Sequence, residues 1–157
     1  MRIESFLQQS PVFQASRVAR RMEASLNAAL GQEGLTFMES LMLAAIFLEK
    51  KGVRPSELAG TFETTRGNVS HCVSSLEAKR LVRRRIDPED ARGFHLELEP
   101  AGRRRAARVV GILDRMQAQL EKGIGTAKLE TTLRQICEVA ELCSRLAHAA
   151  SEVSRGR

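Results

Sequence analysis

The sequence predicts a mainly α-helical chain with one small β-hairpin. Three observations lead there. Apolar residues recur at helical spacing over most of the 157 residues. Ser, Thr, Pro and Gly punctuate those stretches where helices start and stop. Only residues 81–102, LVRRRIDPEDARGFHLELEPAG, switch to a period of two, with Phe94, Leu96 and Leu98 alternating with His95, Glu97 and Glu99 around a DPEDARG turn.

Taken in order, residues 11–30 read as a helix. Ser10 caps it, Pro11 suits its first turn, and Val18, Met22, Leu26 and Leu30 form one apolar stripe. Thr36 and Glu39 form a capping box for a helix that is apolar nearly all round through Leu48, and therefore central. Gly52 is expected to be the residue that ends it, after Lys50 and Lys51. Pro55 opens a short helix over 55–62, and Thr65 caps a longer one over 66–79. After the hairpin, Pro100 restarts helix with Val109, Ile112, Leu113, Met116 and Leu120 in a stripe. Gly123 and Gly125 are expected to break it. Thr126 then caps a last helix that carries Leu129, Leu133, Ile136, Ala140, Cys143 and Ala147 on one side.

Composition narrows the function. A hydrophobic fraction of 43% can build a core, and 28% charged residues suit a soluble protein. The longest apolar run, residues 41–48, is too short to cross a bilayer, and the N-terminus lacks an export pattern, so a cytoplasmic location is expected. A net charge of +6 and a pI near 9.9 favour a polyanionic partner. The absence of Trp and Tyr argues against stacking on single-stranded bases. No phosphate-cradling glycine loop, nucleophile elbow or His-Glu-x-x-His occurs, so no enzyme is expected. His71, His95 and His148 are scattered without a Cys/His pair at ligand spacing, so neither a metal nor a cofactor is expected.

Two adjacent constellations carry the functional reading. Leu58, Ala59, Phe62, Val69 and Cys72 have the spacing that packs two helices across a tight turn. That arrangement turns Arg66, Asn68, Ser70, His71 and Ser74 outward from the second helix, where they either read base edges in a major groove or form an ordinary solvated face. The basic hairpin follows at once, and a helix-turn-helix followed by such a hairpin is a winged helix. Because strand side chains alternate, Arg83, Arg84 and Arg85 cannot all point one way, and Arg84 with one neighbour is the expected phosphate contact. Arg92 at the tip suits a narrow minor groove, and Asp90 either holds its guanidinium or simply stabilises the turn.

Residues 36–102 resemble the MarR family of winged-helix transcriptional regulators. The resemblance rests on DPEDAR with the alternating strand and the helix that follows it at Gly102, on SELA at residues 56–59, and on LEAKRLVRR at residues 76–84. The flanking helices extend it to nearly the whole chain. The resemblance implies a single domain over 1–157, with the winged helix-turn-helix over about 36–102 and dimerisation helices over about 5–31 and 103–152. It also implies a homodimer on a pseudo-palindromic operator of double-stranded DNA, usually a repressor released by a small molecule or an oxidant. By matching positions, Arg66, Asn68, Ser70 and His71 become recognition-helix contacts and Asp90 and Arg92 the wing pair. Thr65, Ser74 and Arg84 complete the expected DNA-contacting set. Glu63 stands where the family usually has Gly, Thr64 where it has an apolar residue, and His71 where arginine is common.

Several features keep more than one reading. The effector pocket is expected near Phe13, Phe37, Met38 and Met42, which are equally good core residues. Cys72 falls at a core position, and Cys137 and Cys143, about 9 Å apart in rise on one helix, cannot bridge each other. A cysteine-based redox regulator and a winged-helix adaptor that binds protein without reading DNA are the alternatives. The cluster Arg103, Arg104, Arg105 and Arg108 opposes the dipole at a helix start, which suggests phosphate contact, dimer ion pairs with residues such as Glu138 and Glu141, or a solvated basic face.

Overall fold

The computed structural model describes residues 2–49, 52–86 and 93–155, and side chains as far as residue 148. Helices α1 (Arg2–Gln9), α2 (Pro11–Leu30), α3 (Phe37–Leu48), α4 (Pro55–Thr61) and α5 (Arg66–Ala78) are followed by strands β1 (Val82–Ile86) and β2 (Phe94–Leu98), then by helices α6 (Pro100–Ile124) and α7 (Thr126–Arg155). The chain divides into two compact units: Glu23–Arg115, and Met1–Met22 with Met116–Arg157.

The Glu23–Arg115 unit holds the core. Leu30, Met42, Leu43, Leu58, Val69, Val73, Leu76, Leu81, Leu96 and Val109 are buried in one cluster. Each side chain of this size contributes roughly 1.5–3 kcal/mol on burial. Helix α3 lies at its centre, as its apolar circumference predicts. Its start is the expected capping box: the Thr36 hydroxyl accepts the Glu39 N–H, and the Glu39 carboxylate accepts the Thr36 N–H. Asn27, near the end of α2, accepts the Phe37 N–H as well.

The end of α3 departs from expectation. The helix stops at Leu48, with Glu49 extended at its cap, so Gly52 is not the terminating residue. Gly52 instead allows close approach to β2, since a Cβ there would lie 2.7 Å from the His95 Cβ. The following residue, Val53, exchanges backbone hydrogen bonds with Leu96, adding a bridge on the far side of β2. The strands pair antiparallel, with Val82 opposite Leu98, Arg84 opposite Leu96 and Ile86 opposite Phe94. As the alternation predicts, Leu96 is fully buried, and Phe94 and Leu98 pack against the core.

Helix α5 ends in a left-handed turn without glycine. Arg80 has φ +55°, its N–H bonds the Glu77 carbonyl, and the Leu81 N–H bonds the Leu76 carbonyl, which together form a Schellman motif. The Leu81 carbonyl then accepts the Glu99 N–H at 2.9 Å. Helix α6 begins against this same peptide, and only the missing side chain of Gly102 permits it, because a Cβ there would overlap the Leu81 carbonyl oxygen.

In the other unit, α1 is a separate helix that the sequence reading had not distinguished. Ser10 accepts the Phe13 N–H and starts α2 as expected. Gly123 does not interrupt α6. The break is Gly125 alone, at φ +90°. Thr126 is already helical, and the Gly125 carbonyl accepts the Leu129 N–H, so Thr126 is not the cap. Helix α1 and residues 126–148 of α7 bury no residue, and Phe6, Val12, Leu133, Ile136, Leu142 and Leu146 lie exposed.

Candidate nucleic-acid interface

Helices α4 and α5 meet across residues 62–65. The Arg54 N–H, just before α4, bonds the Glu57 carboxylate, and Pro55 occupies the first turn, where its missing N–H costs nothing. The turn itself places Glu63 at φ +46°, the left-handed region. Thr65 then caps α5 by accepting the Asn68 N–H at 3.1 Å. Leu58, Val69 and Cys72 are buried between the two helices, with Ala59 and Phe62 packed beside them. Burial, together with the negative charge of Glu39, pushes the Cys72 thiol up from its ordinary value.

The opposite face of α5 is open. Thr65, Arg66, Asn68, Ser70, His71 and Ser74 are all exposed. The Asn68 amide donates to Thr64 Oγ1 at 2.9 Å, so that side chain is held against the turn, and its carbonyl oxygen accepts no hydrogen bond among the described residues. Thr64 precedes the Thr65 cap, outside α5, so helical spacing in the sequence gives no signal for this contact. Arg66 and His71 make no ion pair among the described residues.

The wing base joins this surface. Arg84 crosses to α5, with Nη2 3.2 Å from Glu77 and 3.4 Å from Ser74 Oγ, while its guanidinium lies 5.0 Å over the Phe94 ring. Arg84 and Ser74 are thus brought together. On the other face of the hairpin, Arg83 and Arg85 both bind Glu97, at 2.8 and 3.0 Å. Hydrogen bonds from these two guanidiniums hold the Glu97 carboxyl below the usual carboxylate range. Asp90 and Arg92 lie outside the described residues.

The arginines that open α6 have a partner the sequence reading did not identify. Arg108 makes a forked contact with Glu33, at 2.8 Å from Nη2, and Arg105 lies 3.8 Å from the same carboxylate. Glu33 is 75 residues from Arg108, beyond any local signal. The hydrogen bond from Arg108 is the main reason the Glu33 carboxyl ionises below its ordinary value.

The sequence profile of the MarR family matches residues 33–93, which run from the turn before α3 to the end of the hairpin loop. No curated protein sequence matches the chain significantly. Among solved structures, the DNA complex of MepR from S. aureus superposes with a TM-score of 0.76 at 19% identity, covering 84% of this chain and 97% of that one. The M. tuberculosis regulator MOSR, also in complex with DNA, gives 0.69 at 25% identity, covering 86% and 98%. CouR from Rhodococcus jostii, bound to p-coumaroyl-CoA, gives 0.68 at 24% identity, covering 86% and 92%. Profile, helix-turn-helix and wing thus agree: residues 33–93 are similar to the MarR family, and the chain shares the winged-helix fold of these regulators.

Proposed function

We propose that this protein is a homodimeric repressor that binds a pseudo-palindromic operator and is released by a small molecule. The observation that carries the operator reading is the exposed row Arg66, Ser70 and Ser74 on α5, continued by Arg84 from the wing. Asn68 and His71 flank that row, with donors and acceptors that suit base edges in a major groove. Arg84 and the wing-tip pair Asp90 and Arg92 act on the backbone and the adjacent minor groove. Dimerisation is supported by the bare apolar faces of α1 and α7, and by the spacing logic that sets two recognition helices one DNA turn apart. Release by a small molecule is supported by the CouR complex. Nothing favours the cysteine-based alternative at Cys72, because a buried thiol with a raised pKa supplies little thiolate.

Footprinting on genomic DNA tests this reading, with protection of a sequence with two-fold symmetry as the expected result. A dimer that neutralises about eight phosphates gives a slope of about −7 for log K against log salt. A slope shallower than about −3 would remove extensive phosphate contact from the mechanism. Arg92→Ala should weaken operator binding by about 1–3 kcal/mol and leave the oligomeric state unchanged. Unchanged affinity would take the wing tip out of the interface.

A further inference from the structure

The first turn of α5 holds one polar residue at two points. The Asn68 backbone N–H goes to the Thr65 hydroxyl at 3.1 Å, and its side-chain amide donates to Thr64 Oγ1 at 2.9 Å. Thr64 is itself fixed by the end of α4. Its N–H bonds the Ala59 carbonyl at 3.0 Å, directly after the left-handed residue Glu63. Position thus passes from α4 through the turn to one exposed amide on α5. That amide nitrogen carries two protons, and Thr64 takes only one of them. The second proton and the carbonyl oxygen have no partner among the described residues. One donor and one acceptor therefore stand side by side on a side chain whose position is already set.

We propose that Thr64 is a specificity-determining residue, which holds the Asn68 amide as a reader of adenine in the major groove. The proposal rests on the operator reading above and deepens it. In a helix-turn-helix, the N-terminal residues of the second helix are those that reach base edges. Adenine presents there an acceptor, N7, beside a donor, the N6 amino group, and an asparagine amide matches that pair with its own donor and acceptor. Guanine offers two adjacent acceptors, one of which would face the Asn68 oxygen. Cytosine offers a donor alone, and thymine an acceptor beside a methyl group. Thr64 contributes in two ways. Its hydroxyl satisfies the amide proton that the base does not use, which would otherwise lose water in the groove without replacement. It also restricts, before binding, a side chain whose rotamer freedom would be lost on binding.

Selection by the full chain from a library of random duplexes, followed by sequencing, tests the proposal. The parent should enrich a sequence with two-fold symmetry, containing an A·T pair whose preference disappears in Asn68→Ala. Thr64→Val, which keeps the shape and removes the hydroxyl, should relax that same pair and no other. It should also weaken binding of the enriched duplex about tenfold. Thr64→Ser, which retains the hydroxyl, should keep the parent's preference. In the Asn68→Ala background, Thr64→Val should have no further effect, a coupling that a purely structural role for Thr64 would not produce. An unchanged preference in Thr64→Val, relaxation at a different pair, additive losses in the double variant, or an Asn68-dependent pair other than A·T would each overturn the proposal. A parent that enriches no sequence would overturn the operator reading itself, and this proposal with it.

Discussion

At the scale of single residues, two side chains are held where glycine is usual. Glu63 and Arg80 adopt positive φ at the turns that begin and end α5. Such a conformation costs a non-glycine residue about 1–3 kcal/mol, part of which glycine returns as greater freedom of the unfolded chain. Glu63→Gly should therefore stabilise the protein by about 1 kcal/mol, read from the midpoint of urea unfolding. A midpoint at or below that of the parent would show that the turn carries no strain. Gly102 is the opposite case. Gly102→Ala should destabilise by about 3 kcal/mol, because its methyl would have to displace the Leu81 backbone rather than a flexible side chain. These demands were only partly legible. The capping residues Ser10, Thr36 and Thr65 could be read directly, since each bond spans three residues. Glu63 and Arg80 could not, because neither residue type announces a left-handed turn.

At the scale of elements, α3 and α5 are joined by one buried group. Glu39 is 4% exposed and bonds Lys79 at 2.8 Å and the Ser75 hydroxyl, while Lys79 also donates to the Gly34 carbonyl. Burial opposes its ionisation, but bonds from Lys79, Ser75 and the Thr36 N–H outweigh that, and its carboxyl ionises below the ordinary 4.5. The folded state thus binds fewer protons there than the unfolded state. The resulting stability is fully present above the unfolded value and is lost as pH falls through the lower, folded one. Glu39→Gln should accordingly flatten the acid limb of stability between about pH 5 and pH 3, measured by urea midpoints across that range. An acid limb as steep as the parent's would place the titrating group elsewhere. Helix and strand identity was legible because it follows local periodicity. The partners of Glu39, Arg84 and Arg108 were not, because each pair is assembled by tertiary packing. The misplaced breaks at Gly52 and Gly123 share one cause: glycine also serves close packing, and a long helix tolerates it.

At the scale of the whole molecule, the two units differ in what they cover. The winged-helix unit closes its own core, whereas α1 and α7 leave Phe6, Leu133, Ile136 and Leu146 in solvent. Exposed apolar area of that extent marks an interaction surface. Replacing Leu133 and Ile136 together by Glu should convert the protein to a monomer, with sedimentation showing about half the parent's mass. For a dimer, the thermal midpoint should also rise with protein concentration. A parent that already sediments as a monomer would refute the shared core. The apolar stripes of these helices were plain in the sequence, but a stripe does not say whether its partner is its own chain or another. The Leu81 peptide has a consequence for movement. Its N–H closes the end of α5, its carbonyl holds the chain leaving β2, and its backbone abuts the first turn of α6. Three elements therefore pivot on one rigid plane, without a side chain between them to yield. A tilt at the start of α6 would be delivered to α5 as a tilt, like a crank keyed to its shaft.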